Sequence, residues 1–289
     1  MVKQISTSEN KDTLKSSWHG SLDLKFACRD GGSQVIKSQG KAPLKVQRPF
    51  YPEGREVCHS VILHTGGGVV GGDRLSLNFH LQPNTHALIT SAAAGKVYRS
   101  NGLEARQTVE MRVEAGACLE WLPQENIIFN DANYRQDLRV ELATDATWMG
   151  WEITRLGRTA RGEQFLQGNW RSHTEIWRQG DPLWIDRQWL PGGENIINSP
   201  HDLAGYPVIA SFAFVGKAVS KDLIEKARNC WQAGEYQGES GVTTLLEGML
   251  CRYRGYSTLE ARNWFIRVWE LLRLAYLGKN ICIPRVWQI

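Results

Sequence analysis

The strongest constraint on this chain is a period of two. From about Ser21 to about Gly216, short runs of alternating apolar and polar residues follow one another, separated by Gly, Pro, Asn or Asp, and helical periodicity is nearly absent. In "LSLNFHLQ", Leu75, Leu77, Phe79 and Leu81 fall on one face and Ser76, Asn78 and His80 on the other, so the segment buries one side of a strand. "THALITSA" and "RQTVEMRVEAGACLEWL" extend the pattern, and Pro83-Asn84 and the residues around Gly116 read as turns. Further strands are expected near Leu22 to Ala27, Tyr134 to Leu142, Thr147 to Ile153, Asn169 to Arg178 and Leu183 to Leu190. The expectation is a mainly β protein whose large sheet system pairs strands that neighbour one another in sequence. No internal repeat of solenoid length stands out.

The C-terminal third changes period. Lys221 to Ala233 reads as a helix, and Thr258 to Leu277 opens on the capping-box pattern Ser257-Thr258-Leu259-Glu260. At 100° per residue, Trp264, Phe265, Val268, Trp269, Leu271, Leu272, Ala275 and Tyr276 share one half of the wheel, opposite Glu260, Asn263, Arg267 and Glu270. No linker separates these helices from the strands, so residues 18–289 are expected to form a single domain behind a disordered lead-in over 1–17.

No apolar run approaches the roughly 18 residues that a membrane helix needs. The first residues, "MVKQISTSENKDTLKSSW", carry no secretory h-region, which points to the cytoplasm. The six cysteines lie far apart without a C-x-x-C pair, as reduced thiols would. With 34 basic against 30 acidic residues and no basic block interleaved with aromatics, nucleic acid is not an expected partner.

One stretch invites a cofactor reading. In "HTGGGVVGGDRLSL", Gly66, Gly68 and Gly71 match the G-x-G-x-x-G spacing of a dinucleotide loop, which makes a nucleotide-dependent oxidoreductase one reading of this chain. Such a loop must open a helix, whereas "DRLSLNFHL", the segment after these glycines, alternates as a strand. It also expects an acid about 20 residues on, and none stands between Asp73 and Glu104. "TSAAAGKV" imitates a phosphate loop as poorly, lacking its first glycine and the Ser or Thr after Lys96. The glycines then serve backbone geometry, and Asp73 either accepts amides of its own turn or is a functional carboxylate.

Hydrolase signatures are missing: no H-E-x-x-H and no G-x-S-x-G occurs. Cys58, His59, His64, His80 and His86 supply nitrogen and sulfur in one region, but at spacings that match no closed zinc site. Glu125 in "LPQENIIF" and Glu152 in "WMGWEITRLGR" are carboxylates in apolar surroundings, each requiring a partner if buried. Arg155 and Arg158 are the nearest cations to Glu152. The 12 tryptophans admit a further reading, a β-rich carbohydrate-binding module.

Five segments, "VILHTGGGVVGGDRLSL", "LITSAAAGKVYRS", "LEWLPQENIIF", "WEITRLGRTARGE" and the terminal "IPRVW", resemble in order and spacing those of the urease accessory protein family UreD, called UreH in some bacteria. The resemblance spans about Trp18 to Trp287. It implies a helix-like stack of β-sheets with a few late helices, and a non-enzymatic role in maturing the nickel site of urease. The implied partners are apo-urease, UreF directly, and the GTP-hydrolysing UreG through UreF. No cofactor is implied as tightly bound; nickel is in transit through a water-filled passage. Carried over by position, Asp73, Glu125 and Glu152 are the candidate passage residues, with His64 beside them. Transit asks for exchangeable oxygen ligands rather than a closed Cys/His cage.

Overall fold

A computed structural model describes residues 17–287 of the chain. The lead-in expected over 1–17 therefore lies, apart from Ser17, outside the described residues.

The chain winds back and forth between two facing sheets. Strands β1 (His19–Arg29) and β2 (Gly32–Lys41) form a hairpin in the first sheet, and β3 (Leu44–Val46) and β4 (Val57–His64) pair in the second. The chain returns to the first sheet as β5 (Arg74–Leu81), then crosses again as β6 (His86–Ser91) with the short β7 (Gly95–Val97). The alternation repeats with β8 (Ala105–Val113) in the first sheet, β9 (Cys118–Trp121) and β10 (Asn126–Ile128) in the second, β11 (Ala132–Leu142) in the first and β12 (Thr147–Leu156) in the second. Strands β13 (Gly168–Arg178) and β14 (Asp181–Pro191) close the first sheet, and a short helix α1 (Glu194–Asn198) leads to β15 (Val208–Val215) in the second. Helix α2 (Lys221–Gln232), the hairpin of β16 (Glu239–Leu245) and β17 (Gly248–Gly255), and helix α3 (Thr258–Leu277) complete the fold.

The segments expected as strands are strands, but apart from hairpins such as β1 with β2 and β13 with β14 their partners are not their sequence neighbours. Strand β5 lies parallel to β1 and β8, β11 parallel to β8 and β13, and β9 parallel to β6 and β12. Leu22, Leu77, Val109, Leu138 and Thr174 therefore stack at one register position, each a full coil after the last. The expectation of neighbour pairing is corrected here. Alternation assigns a side chain to a face and says nothing of which strand lies alongside. The stacked-sheet architecture implied by the family resemblance is the one observed.

The second sheet is buried on both sides. Its strand β4 is buried from Val57 to Ile62 and β9 throughout, as the continuous apolar runs of parallel strands require. One face packs on the first sheet through Ile62, Ile89, Leu119 and Trp148; the other packs under α2 and α3 through Leu88, Met149, Trp151 and Phe212. Helix α3 begins where Ser257 Oγ accepts the Glu260 amide at 3.3 Å and ends at Gly278, whose φ of +62° is left-handed. Trp264, Phe265, Val268, Trp269 and Leu272 are fully buried, as their wheel position predicts. Ala275, expected on the same face, is exposed, and Arg273 is buried completely in the last turn.

Arg273 is held by a polar network sealed between α3 and the second sheet. It donates to Glu53 at 2.7 Å and to the Asn280 carbonyl at 2.7 Å, and lies 3.4 Å from Glu120, whose other oxygen accepts from Trp269. Burial works to raise the Glu120 carboxyl, and the bond from His86 together with the nearby Arg273 charge outweighs it, leaving Glu120 below the ordinary carboxylate range. Removing the cation strands two buried carboxylates. Arg273→Leu is expected to cost about 3–5 kcal/mol of stability, read from the urea unfolding midpoint; a loss below about 1 kcal/mol would show that hydrogen bonds alone hold Glu120.

Candidate functional site

The glycine stretch joins β4 to β5, so it is a turn between strands that lie in different sheets and opens no helix. The tightness of the turn explains its composition. A Cβ on Gly71 would sit 2.8 Å from the Leu103 carbonyl oxygen, and one on Gly68 2.8 Å from that of Lys96. Asp73, 3% exposed, holds this turn to the start of the described chain: Oδ1 accepts the Trp18 amide at 2.9 Å and Oδ2 the Val70 amide at 3.0 Å. Both oxygens are thus engaged by backbone.

Glu125 follows β9 and forms an ion pair with Arg262 on α3, which fastens the helix to the loop before β10. Among the described residues no cation forms an ion pair with Glu152, in β12. Period two puts Thr154 on its side of the strand and Arg155 on the other, where the guanidinium donates to Thr159 and the Tyr256 carbonyl. Arg158, past the strand end, pairs with Glu163. The partners of Glu152 are neutral groups instead: Ser172 of β13 donates at 2.7 Å, across the sheet gap, and Thr154 at 3.2 Å, with a further hydrogen bond from the Gln136 side chain. Burial pushes this carboxyl up to about 7, against the hydrogen bonds from Ser172 and Thr154 and with a contribution from the Asp186 charge.

Glu152 and His64 line one cavity of about 470 Å³ between the sheets, many times the ~15 Å³ that one water occupies. Asp73 and Glu125 are not among its walls. His64 stands at the end of β4, next to the glycine turn that forms part of the wall. Among the described residues neither of its ring nitrogens has a hydrogen-bond partner. Burial lowers its pKa, with Asp73 opposing, so the ring is neutral at pH 7 and keeps a lone pair for a ligand.

The first sheet adds polar groups that sequence reading passed over: Gln136 on β11, and Asp186 and Gln188 on β14. Their signal was present. Each occupies an inward position of an alternating strand, between Tyr134 and Leu138 or between Trp184 and Leu190, where an apolar residue is the rule. A borderline cation entering this space would find a neutral imidazole, carboxyl oxygens and amide oxygens, a set suited to exchange rather than retention.

The sequence matches the family described as UreD urease accessory protein over residues 19–288. It is 67% identical over 271 residues to the urease accessory protein UreD of Trichormus variabilis, covering 94% of this chain and 96% of that one. The UreD of Nostoc punctiforme is 65% identical over 276 residues, covering 96% of this chain and 98% of its own. That of Synechocystis sp. is 42% identical over 257 residues, 88% of this chain and 95% of its own. Among the described residues no helix is long and apolar enough to cross a membrane.

Two measurements probe the site's physics. The folded protein binds the Glu152 proton more tightly than the unfolded chain does, so this group's ionisation costs stability as pH rises from the ordinary carboxylate range through about 7. Glu152→Gln is expected to match the parent near pH 4 and to exceed it by ~1–3 kcal/mol at pH 8 in urea unfolding; equal stability at both pH values would refute the raised carboxyl. Gly71→Ala is expected to lower stability by ~1–3 kcal/mol through overpacking against Leu103, measured by thermal unfolding.

Proposed function

The chain belongs to the UreD family of urease accessory proteins, and from that premise we propose that it is a non-enzymatic scaffold of urease maturation in the cytoplasm. On this reading it binds apo-urease and UreF directly and UreG through UreF, and nickel passes through the cavity between its sheets on the way to urease. The observation that carries the reading is the cavity itself, where an unpartnered neutral imidazole and a carboxyl titrating at about 7 face the same space.

The chemistry suits transit. A carboxyl half-ionised near neutral pH can give up its proton to the bulk as a cation arrives and take it back as the cation leaves. The hydroxyls of Ser172 and Thr154 orient Glu152 in either state. No thiol lines the cavity among the described residues, so the site lacks the soft ligands that would trap the metal. Asp73 and Glu125 act on the passage only through its frame: the first fixes the glycine turn in the wall, the second fastens α3. The glycine turn offers no helix N-terminus to a pyrophosphate, which leaves the oxidoreductase reading without its anion site.

Reconstitution tests this. Apo-urease is activated with UreF, UreG, GTP, nickel and the chain carrying Glu152→Ala or His64→Ala. Each variant is expected to lower the urease activity reached several-fold while co-purifying with UreF as the parent does. Parent-level activation by both variants would remove the cavity as the route.

A further inference from the structure

A second group of metal-binding side chains lies on the opposite face of the second sheet. The parallel register of β6 and β9 sets His86 beside Cys118, and Glu120 follows two residues on, so that all three project toward the helices. One ligand atom from each lies within 4.8 Å of the other two. His86 Nε2 is 2.5 Å from Glu120 Oε1. Three donors around a tetrahedral ion with bonds of 2.0–2.3 Å stand about 3.3–3.7 Å apart, so the group needs only a small opening to receive one. We propose that His86, Cys118 and Glu120 form a binding site for a single borderline divalent transition cation, separate from the cavity between the sheets.

The surroundings favour this use. Glu120 is fully buried and Cys118 is 6% exposed, which fixes their positions, while the His86 side chain keeps 13% exposure and gives the ion an entry. Trp269 holds Oε2 of Glu120 and leaves Oε1 turned to His86. Against the effect of burial, Cys118 and Glu120 raise the His86 pKa to about 10, so the ring gives up a proton when it takes an ion. The next cation, Arg273, is closer to Glu53 than to Glu120, 2.7 against 3.4 Å, and Glu53 also bonds His59 at 2.6 Å. Once His86 is neutral, the Glu120 carboxylate and the Cys118 thiolate supply the two negative charges that face a divalent ion. Imidazole, thiolate and carboxylate together suit zinc, cobalt and nickel and disfavour magnesium and calcium. Three protein ligands leave a fourth position for water, the arrangement of an exchangeable rather than a sealed site. Sequence spacing conceals the group because its members come together only through strand register.

The reduced full-length chain would be titrated with cobalt(II), following the thiolate-to-metal charge-transfer absorption, and then with zinc(II) in competition. One cobalt per chain is expected, displaced by zinc. Cys118→Ser is expected to abolish the charge-transfer band. Affinity read from the band is expected to fall ~tenfold or more in His86→Gln, with folding of both variants checked by circular dichroism. Glu152→Gln and His64→Ala should keep the charge-transfer band at the parent's affinity, which keeps this site distinguishable from the passage whichever way urease activation falls. A folded parent without the band, or a band that persists in Cys118→Ser, would overturn the assignment. Should Cys118→Ser fail to fold, parent-level affinity in folded His86→Gln overturns it equally.

Discussion

Burial of the second sheet on both faces is the constraint on which the remaining architecture depends. The parallel strands at the centre of this mixed sheet have no solvent face to give to polar residues, so β4 and β9 are buried nearly throughout, and something must cover each side. The first sheet covers one and the two long helices the other. Each coil of the chain contributes a strand to both sheets, so the covering is built as the stack grows. Helices α2 and α3, late in the sequence, seal the face of the second sheet turned away from the first.

Within that frame the chain holds four carboxylates in four different ways. Asp73 receives two backbone amides, Glu125 an arginine, and Glu120 a histidine, a tryptophan and a share of Arg273. Glu152 receives the hydroxyls of Ser172 and Thr154 and the side-chain amide of Gln136, and faces an open cavity. A backbone N–H or a guanidinium can only donate, so it pins the ionised form and makes the group structural; hydroxyls and a side-chain amide can donate or accept, stabilise either form and leave it free to exchange. The difference in partners, more than the difference in burial, separates the frame of the site from its working surface.

Much of this was written along the chain. The strands at Tyr134 to Leu142 and Asn169 to Arg178 and the helix from Thr258 to Leu277 were identified nearly to the residue, because alternation, helical wheels and Ser257 caps are local properties. Pairing was not. The turn at Gly116 fits a hairpin as readily as a crossing between sheets, and alternation is the same for both. The partner of Glu152 was sought at Arg155, close in sequence but on the opposite face of the strand. Arg273 gave no sign of burial, since its two carboxylates lie more than half the chain away.

The sequence by itself determined that the protein is mainly β with late helices, which faces of its strands are buried, and, through five ordered segments, the family to which it belongs. The tertiary structure alone decided which strands are neighbours, and therefore which candidate side chains share a space: His64 with Glu152, and His86 with Cys118 and Glu120. The physical reason is that hydrophobic periodicity is fixed by each residue's own backbone geometry. Contact between distant residues depends on how whole sheets register, a choice settled by the summed packing of the stack and encoded at no single position.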